Sequence, residues 1–197
     1  MKKIIALTMC VVMLVLSLSL SSCGSGYKST DDETNIVIID VKDYGKITVE
    51  LYPEIAPITV ANFKKLVSEG FYDGLIFHRV IEGFMIQGGG YTETYSEKDC
   101  ASIKGEFASN GVKNDLLHTR GVISMARTNV KDSASSQFFI MHKDAPHLDG
   151  EYAAFGEVVE GIEVVDAIAA VKTDYYDMPY ENIVIESITL IDYTPEK

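Results

Sequence analysis

Few side chains in this sequence have the type and setting to do chemistry. Arg79 sits in the run Phe77-His78-Arg79-Val80-Ile81. An arginine stays charged at any working pH and presents rigidly spaced donors, so its natural task is charge stabilisation without proton exchange. A lone arginine on a strand is by default solvated or ion-paired, and its neighbours must argue for more. His78 alternates to the opposite face of that strand and does not reach the same substrate atom. His142 and His147 are five apart, with Pro146 between them and Asp144 and Asp149 alongside. That is a loop without metal-ligand spacing, and no metal is expected. The flanks of Ser124 lack the strand-to-helix elbow of a hydrolase nucleophile. Gly88, Gly89 and Gly90 open no helix, so they read as a turn rather than a phosphate cradle. Cys100 lies in a polar stretch with no histidine nearby and reads as a tolerated surface or loop thiol, not a nucleophile.

The elements that must carry these residues follow from the pattern of apolar positions. The chain has 197 residues, 47% of them hydrophobic, which is enough for one well-packed domain. Ile36–Val41 and Lys46–Leu51 are β-rich and separated by Lys42-Asp43-Tyr44-Gly45, a hairpin signal. Thr59–Glu69 places Val60, Phe63, Leu66 and Val67 at helical spacing, with Gly70 to end it. Ile162, Val165, Ile168 and Ala169 share a face in a second helix, 162–171. Short β-type runs fall at 75–80, 84–87, 121–126, 136–141, 153–159 and 183–191. The pattern suggests a mainly β protein, a closed and mostly antiparallel barrel capped by two α-helices; a sandwich satisfies it nearly as well.

The first 22 residues differ from the rest. Lys2 and Lys3 precede an apolar run from Ile4 to Leu16, and small residues lead to Leu20-Ser21-Ser22-Cys23. The layout is that of a secretory signal, too short for a bilayer span, and its end resembles the lipobox of bacterial lipoproteins. Cleavage before Cys23 and lipidation of Cys23 are expected, which would hold the protein at the outer face of the cell membrane. Residues 23–35 read as a flexible tether and residues 36–194 as the folded domain. Loss of residues 1–22 leaves 15 of 17 cations against 29 acids, moving the formal charge from −12 to −14. Such an acidic domain disfavours nucleic acid as a partner.

Several runs, in order, resemble the cyclophilin family of peptidyl-prolyl isomerases. They are Phe77-His78-Arg79-Val80-Ile81, Gly83-Phe84-Met85-Ile86-Gln87-Gly88-Gly89, Gly121-Val122-Ile123-Ser124-Met125-Ala126, Ser136-Gln137-Phe138-Phe139-Ile140, Leu148-Asp149-Gly150 and Phe155-Gly156. The resemblance spans about Ile36 to Asp192. It implies a closed eight-stranded antiparallel barrel with two capping helices and rotation about X-Pro peptide bonds in unfolded or exported polypeptides. It implies Arg79 as the catalytic residue and Phe84, Met85, Phe139 and Leu148 as the proline pocket. Gln87, Ala126, Arg127 and Gln137 would hold the substrate backbone. His147 stands where many members carry a tryptophan, and Tyr152 where many carry a histidine at the pocket edge. No cofactor is implied, and nothing demands more than a monomer.

The implied reaction fits these residue types. The X-Pro barrier, about 18–20 kcal/mol, comes from amide resonance. In the twisted transition state the prolyl nitrogen regains its lone pair, so a donor aimed there stabilises that state above the planar one. An apolar pocket strengthens the arginine's field. Alternation places Gln137 and Phe139 on one face with Phe138 and Ile140 on the other. It cannot place Phe84, Met85 and Gln87 together, so a bulge or loop near Gly83 is expected. Two competing readings are a module that holds proline segments without turnover and a solute-capturing lipoprotein. Small size and the absence of a two-lobed plan disfavour the latter.

Overall fold

The structure, a computed structural model, describes residues 34–191. The expected signal segment, Cys23 and most of the expected tether lie outside the described residues, as do residues 192–194 of the expected domain.

Alternation builds the sheet. Strand β1 (Ile36–Val41) turns Val37, Ile39 and Val41 inward and pairs antiparallel with β2 (Gly45–Leu51). The other strands are β3 (Leu75–Ile81), β4 (Met85–Thr92), β5 (Val122–Met125), β6 (Phe138–Met141), β7 (Ala154–Glu160) and β8 (Ile185–Ile191). All pairings are antiparallel, in the order β3-β4-β6-β5-β7-β2-β1-β8.

The expected closed barrel is not formed. The sheet is a curled half-barrel, open between β3 and β8. These edges share one isolated bridge, Ile76 with Val184, and the backbone bonds Phe77 N–H to Ile183 O and Gly74 N–H to Ile185 O, both 2.9 Å. The ladder stops there because the chain before β8 cannot run as a strand. Asp177 takes a left-handed φ of 63° and Pro179 has no N–H to donate. Val80 N–H bonds instead to Asp177 O in that loop, at 2.8 Å.

Two helices cover the inner face, α1 (Pro57–Ser68) and α2 (Ile162–Ala169). Pro57 opens α1, whose first turn lacks a side-chain cap of its own. A distant carboxylate supplies one: buried Glu106 accepts from Ile58 N–H at 3.1 Å, Thr59 N–H at 2.8 Å and the Thr59 hydroxyl at 2.8 Å. Phe63 carries α1 into the core, its ring centroid 5.2 Å from Tyr72, 5.2 Å from Phe155 and 5.6 Å from Phe138.

Gly88–Gly90 lie inside β4, not in the expected turn. They are small because the strand passes too close to its neighbours for side chains. A Cβ on Gly88 would sit 2.9 Å from the Phe77 ring, and one on Gly90 would sit 2.5 Å from Gln137 Cγ.

Candidate active site

On the outer face of the half-barrel lies a second apolar cluster, separate from the core under the helices. It contains Met85, Val122, Phe139, Met141, Ala145, Leu148 and Ala154. Cross-strand register aligns a row of residues over it. Arg79 on β3 faces Gln87 on β4, Gln87 faces Phe139 on β6, and Phe139 faces Ser124 on β5. Directly opposed residues in antiparallel strands project to the same side, so these four share the outer face. Phe138 and Ile140 fall in the inner core, as alternation requires.

This face holds a groove of about 180 Å³, lined by Arg79, Phe84, Met85, Gln87, Ala126, Arg127, Phe139, Leu148 and Tyr152. Phe84 joins Met85 and Gln87 because it is not on the strand. Glu82-Gly83-Phe84 forms the β3–β4 turn, closed by Phe84 N–H to Ile81 O at 3.0 Å, with Gly83 at φ 77°.

Two residues singled out from sequence stand outside the groove lining. Gln137 accepts from Gln87 Nε2 at 3.0 Å, its backbone carbonyl accepts from Ala126 N–H at 2.9 Å, and it lines an adjoining hollow that shares Gln87, Ala126 and Arg127 with the groove. His147, exposed on a 3-10 turn (Pro146–Leu148), stacks on Phe84 with centroids 5.7 Å apart. Tyr152 does line the groove, edge-on to Phe139 at 5.8 Å.

Arg127 forms a wall of the groove, with its guanidinium bonded to backbone. Its guanidinium lies 4.5 Å from the Tyr152 ring and 5.0 Å from the Phe107 ring. Nε and Nη2 donate to Glu151 O, and Nη1 donates to Thr128 O. Arg79 is held differently. Its Nε lies 3.3 Å from Asp177 Oδ2, and among the described residues Nη1 and Nη2 have no acceptor.

Beneath Phe139 is a polar set that the sequence did not disclose. His118 is buried, with Nδ1 3.1 Å from Asp149 Oδ1 and Nε2 3.0 Å from the Ser124 hydroxyl, and its ring stacks on Phe139 at 6.0 Å. Burial holds the His118 pKa below its usual 6.5 despite Asp149, which favours the neutral ring at neutral pH. A carboxylate only accepts, so Nδ1 carries the proton and Nε2 accepts from Ser124. Ser124 has no solvent exposure, which makes this a support for the groove floor and not a nucleophile. Motif spacing could not reveal it, because Asp149 joins His118 and Ser124 from a segment 31 residues beyond His118.

His78 does not line the groove, but alternation is not the reason: the register shifts between Phe77 and Arg79, so Phe77 and Val80 enter the core while His78 and Arg79 are both left outside it, instead of facing opposite ways as expected. His78 lines a neighbouring hollow with Gln87, Tyr91, Tyr95, Gln137 and Met178, and among the described residues its buried Nδ1 has no hydrogen-bond partner. Burial lowers its pKa to about 4, the Ile76 backbone opposing and Arg79 assisting. Cys100 is half-buried against the main core, and burial raises its pKa, which fits an unreactive thiol.

A model of the family described as cyclophilin type peptidyl-prolyl cis-trans isomerase/CLD matches residues 36–190. The chain belongs to this family. It is 42% identical over 183 residues to peptidyl-prolyl cis-trans isomerase A of Dickeya dadantii, covering 88% of this chain and 93% of that protein. To peptidyl-prolyl cis-trans isomerase B of Escherichia coli it is 44% identical over 161 residues, covering 75% and 95%. Among solved structures, a Cryptosporidium parvum cyclophilin type peptidyl-prolyl cis-trans isomerase, crystallised in the presence of the dipeptide Ala-Pro, superposes with a TM-score of 0.69. It shares 29% identity, with 80% of this chain and 99% of that chain covered. This chain is accordingly an enzyme of the cyclophilin type, a peptidyl-prolyl cis-trans isomerase.

Proposed function

We propose that the groove holds proline-containing polypeptides and that Arg79 catalyses rotation of the X-Pro bond within it. The observation that carries this reading is a guanidinium whose two Nη donors have no acceptor among the described residues, beside an apolar floor of Phe84, Met85, Phe139 and Leu148. A proline ring seated on Phe139 and Met85 would bring its nitrogen toward Arg79. As the amide twists, the nitrogen lone pair localises and accepts from the guanidinium more strongly than the planar amide could. Gln87, braced by Gln137, and the backbone at Ala126 and Arg127 would hold the flanking peptide, with Tyr152 at the edge. His147 would act at one remove, by stacking on Phe84.

We further propose that the chain assists folding of exported proteins at the outer face of the cell membrane, tethered through lipid on Cys23. The support is the sequence Leu20-Ser21-Ser22-Cys23 after a short apolar run.

The deciding measurement is the cis-to-trans rate of a short X-Pro peptide. Wild type should accelerate it, and Arg79→Ala should lose about 10²–10³ of kcat/KM, the range seen on removing a donor that stabilises developing charge. Full activity in the variant would overturn the role of Arg79. For the anchor, Cys23→Ala should move the protein from the membrane fraction to the soluble one; firm attachment of the variant would overturn lipidation.

A further inference from the structure

We propose that Asp177 is a positioning residue for Arg79, holding the guanidinium by Nε so that its Nη donors face the groove. This rests on the reading of Arg79 as catalytic. An arginine side chain has several rotatable bonds, and a donor used in a transition state must be oriented before the substrate arrives. A carboxylate on the Nε side fixes the plane of the guanidinium while leaving the other side for a ligand. Asp177 Oδ2 lies 3.3 Å from Nε as an ion pair, and among the described residues this side chain has no other partner.

The backbone that carries this carboxylate is fixed by its loop. Asp177 O accepts from Val80 N–H at 2.8 Å, so the loop is bonded to β3 at the residue next to Arg79. Asp177 N–H donates to Asp174 O at 3.2 Å. Asp174 Oδ1 accepts from Tyr176 N–H at 2.8 Å and Met178 N–H at 3.0 Å, and Asp174 N–H donates to Met178 O at 2.8 Å. These bonds, with the bridge between Thr173 and Pro179, tie the turn that carries Asp177 at φ 63°. The position of Asp177 is thus set by backbone on both sides.

The pair has little other reason to exist. The two side chains are 41% and 40% exposed, where an ion pair contributes little to folding. Its consequence is therefore orientation, and it should appear in turnover rather than in stability.

The test is a double-mutant cycle. Asp177→Asn removes the charge while keeping a residue that tolerates positive φ. The four proteins are wild type, Asp177→Asn, Arg79→Ala and the double variant, each assayed for X-Pro exchange by magnetisation-transfer spectroscopy at high enzyme concentration. Asp177→Asn is expected to lower kcat about three- to fivefold, the range an exposed ion pair can supply, with KM and the thermal midpoint unchanged. In the Arg79→Ala background it should have no further effect. Wild-type kcat in Asp177→Asn, with Arg79→Ala impaired, would overturn the positioning role and leave the reading of Arg79 standing. The same loss in both backgrounds would overturn it too, as an effect independent of Arg79. Full activity in Arg79→Ala alone would bring down both.

Discussion

Gln87 stands directly opposite Arg79 across the β3–β4 pair, and its side-chain amide is in turn held by Gln137 Oε1 at 3.0 Å. The amide beside the guanidinium is thereby oriented by a residue on another segment. Gly90 is the space that lets Gln137 lie there, since a Cβ would come within 2.5 Å of its Cγ. Gly90→Ala should push the Gln137 side chain away and release Gln87. The expected outcome is a loss of kcat/KM of about fivefold, comparable to one hydrogen bond, with the fold retained. A crystal structure of the variant with Gln137 unmoved would refute the explanation.

No group in the proposed chemistry exchanges a proton. The rate profile should therefore be flat in kcat/KM from about pH 6 to 9, since arginine does not titrate there. Arg79→Lys keeps the charge but loses the planar fork, and should fall about tenfold or more. A bell-shaped profile would implicate a general acid or base instead.

Stability, unlike turnover, should depend on pH. His78 titrates at about 4 in the fold, chiefly through burial, against 6.5 when free. Between those values the unfolded chain takes a proton that the folded chain refuses, so stability is full above 6.5 and declines as pH falls toward 4. His118 is shifted in the same direction. Replacing His78 with Gln should flatten the decline between pH 7 and 4 by about 2 kcal/mol, allowing for its residual contact with solvent. Denaturant titrations of both proteins at the two pH values measure this. Parallel declines would show that His78 is not the group responsible.

Glu106 caps a helix to which it does not belong. Truncation to Ala would leave Ile58 N–H, Thr59 N–H and the Thr59 hydroxyl without their acceptor at a buried helix start. A loss of about 2–3 kcal/mol in unfolding free energy is expected, as for a buried charged hydrogen bond removed from one side. Unchanged stability would mean that water replaces the carboxylate. Catalysis in the folded fraction should persist, because Glu106 lies outside the groove lining.

The sequence by itself determined the periodic part of this protein. Alternation in 36–41 and 136–141, and helical spacing around Phe63, fix which side of each element is apolar, because a strand or helix repeats its facing over a few residues. That sufficed to separate Phe139 from Phe138, to foresee a loop at Gly83, and to place both helices within a few residues. The ordered motifs singled out nine groove-lining residues, Arg79 among them.

Tertiary structure alone decided the rest. Whether the sheet closes depends on how β3 and β8 meet, and the left-handed Asp177 with Pro179 halts the ladder there. Gly88–Gly90 resemble a turn until Phe77, Phe138 and Gln137 are seen pressing on β4. Asp177 beside Arg79, Asp149 beside His118, and Glu106 at the start of α1 are contacts between segments far apart in the chain. No local period encodes such a contact, since it exists only when the sheet's curl brings two segments within a few ångströms.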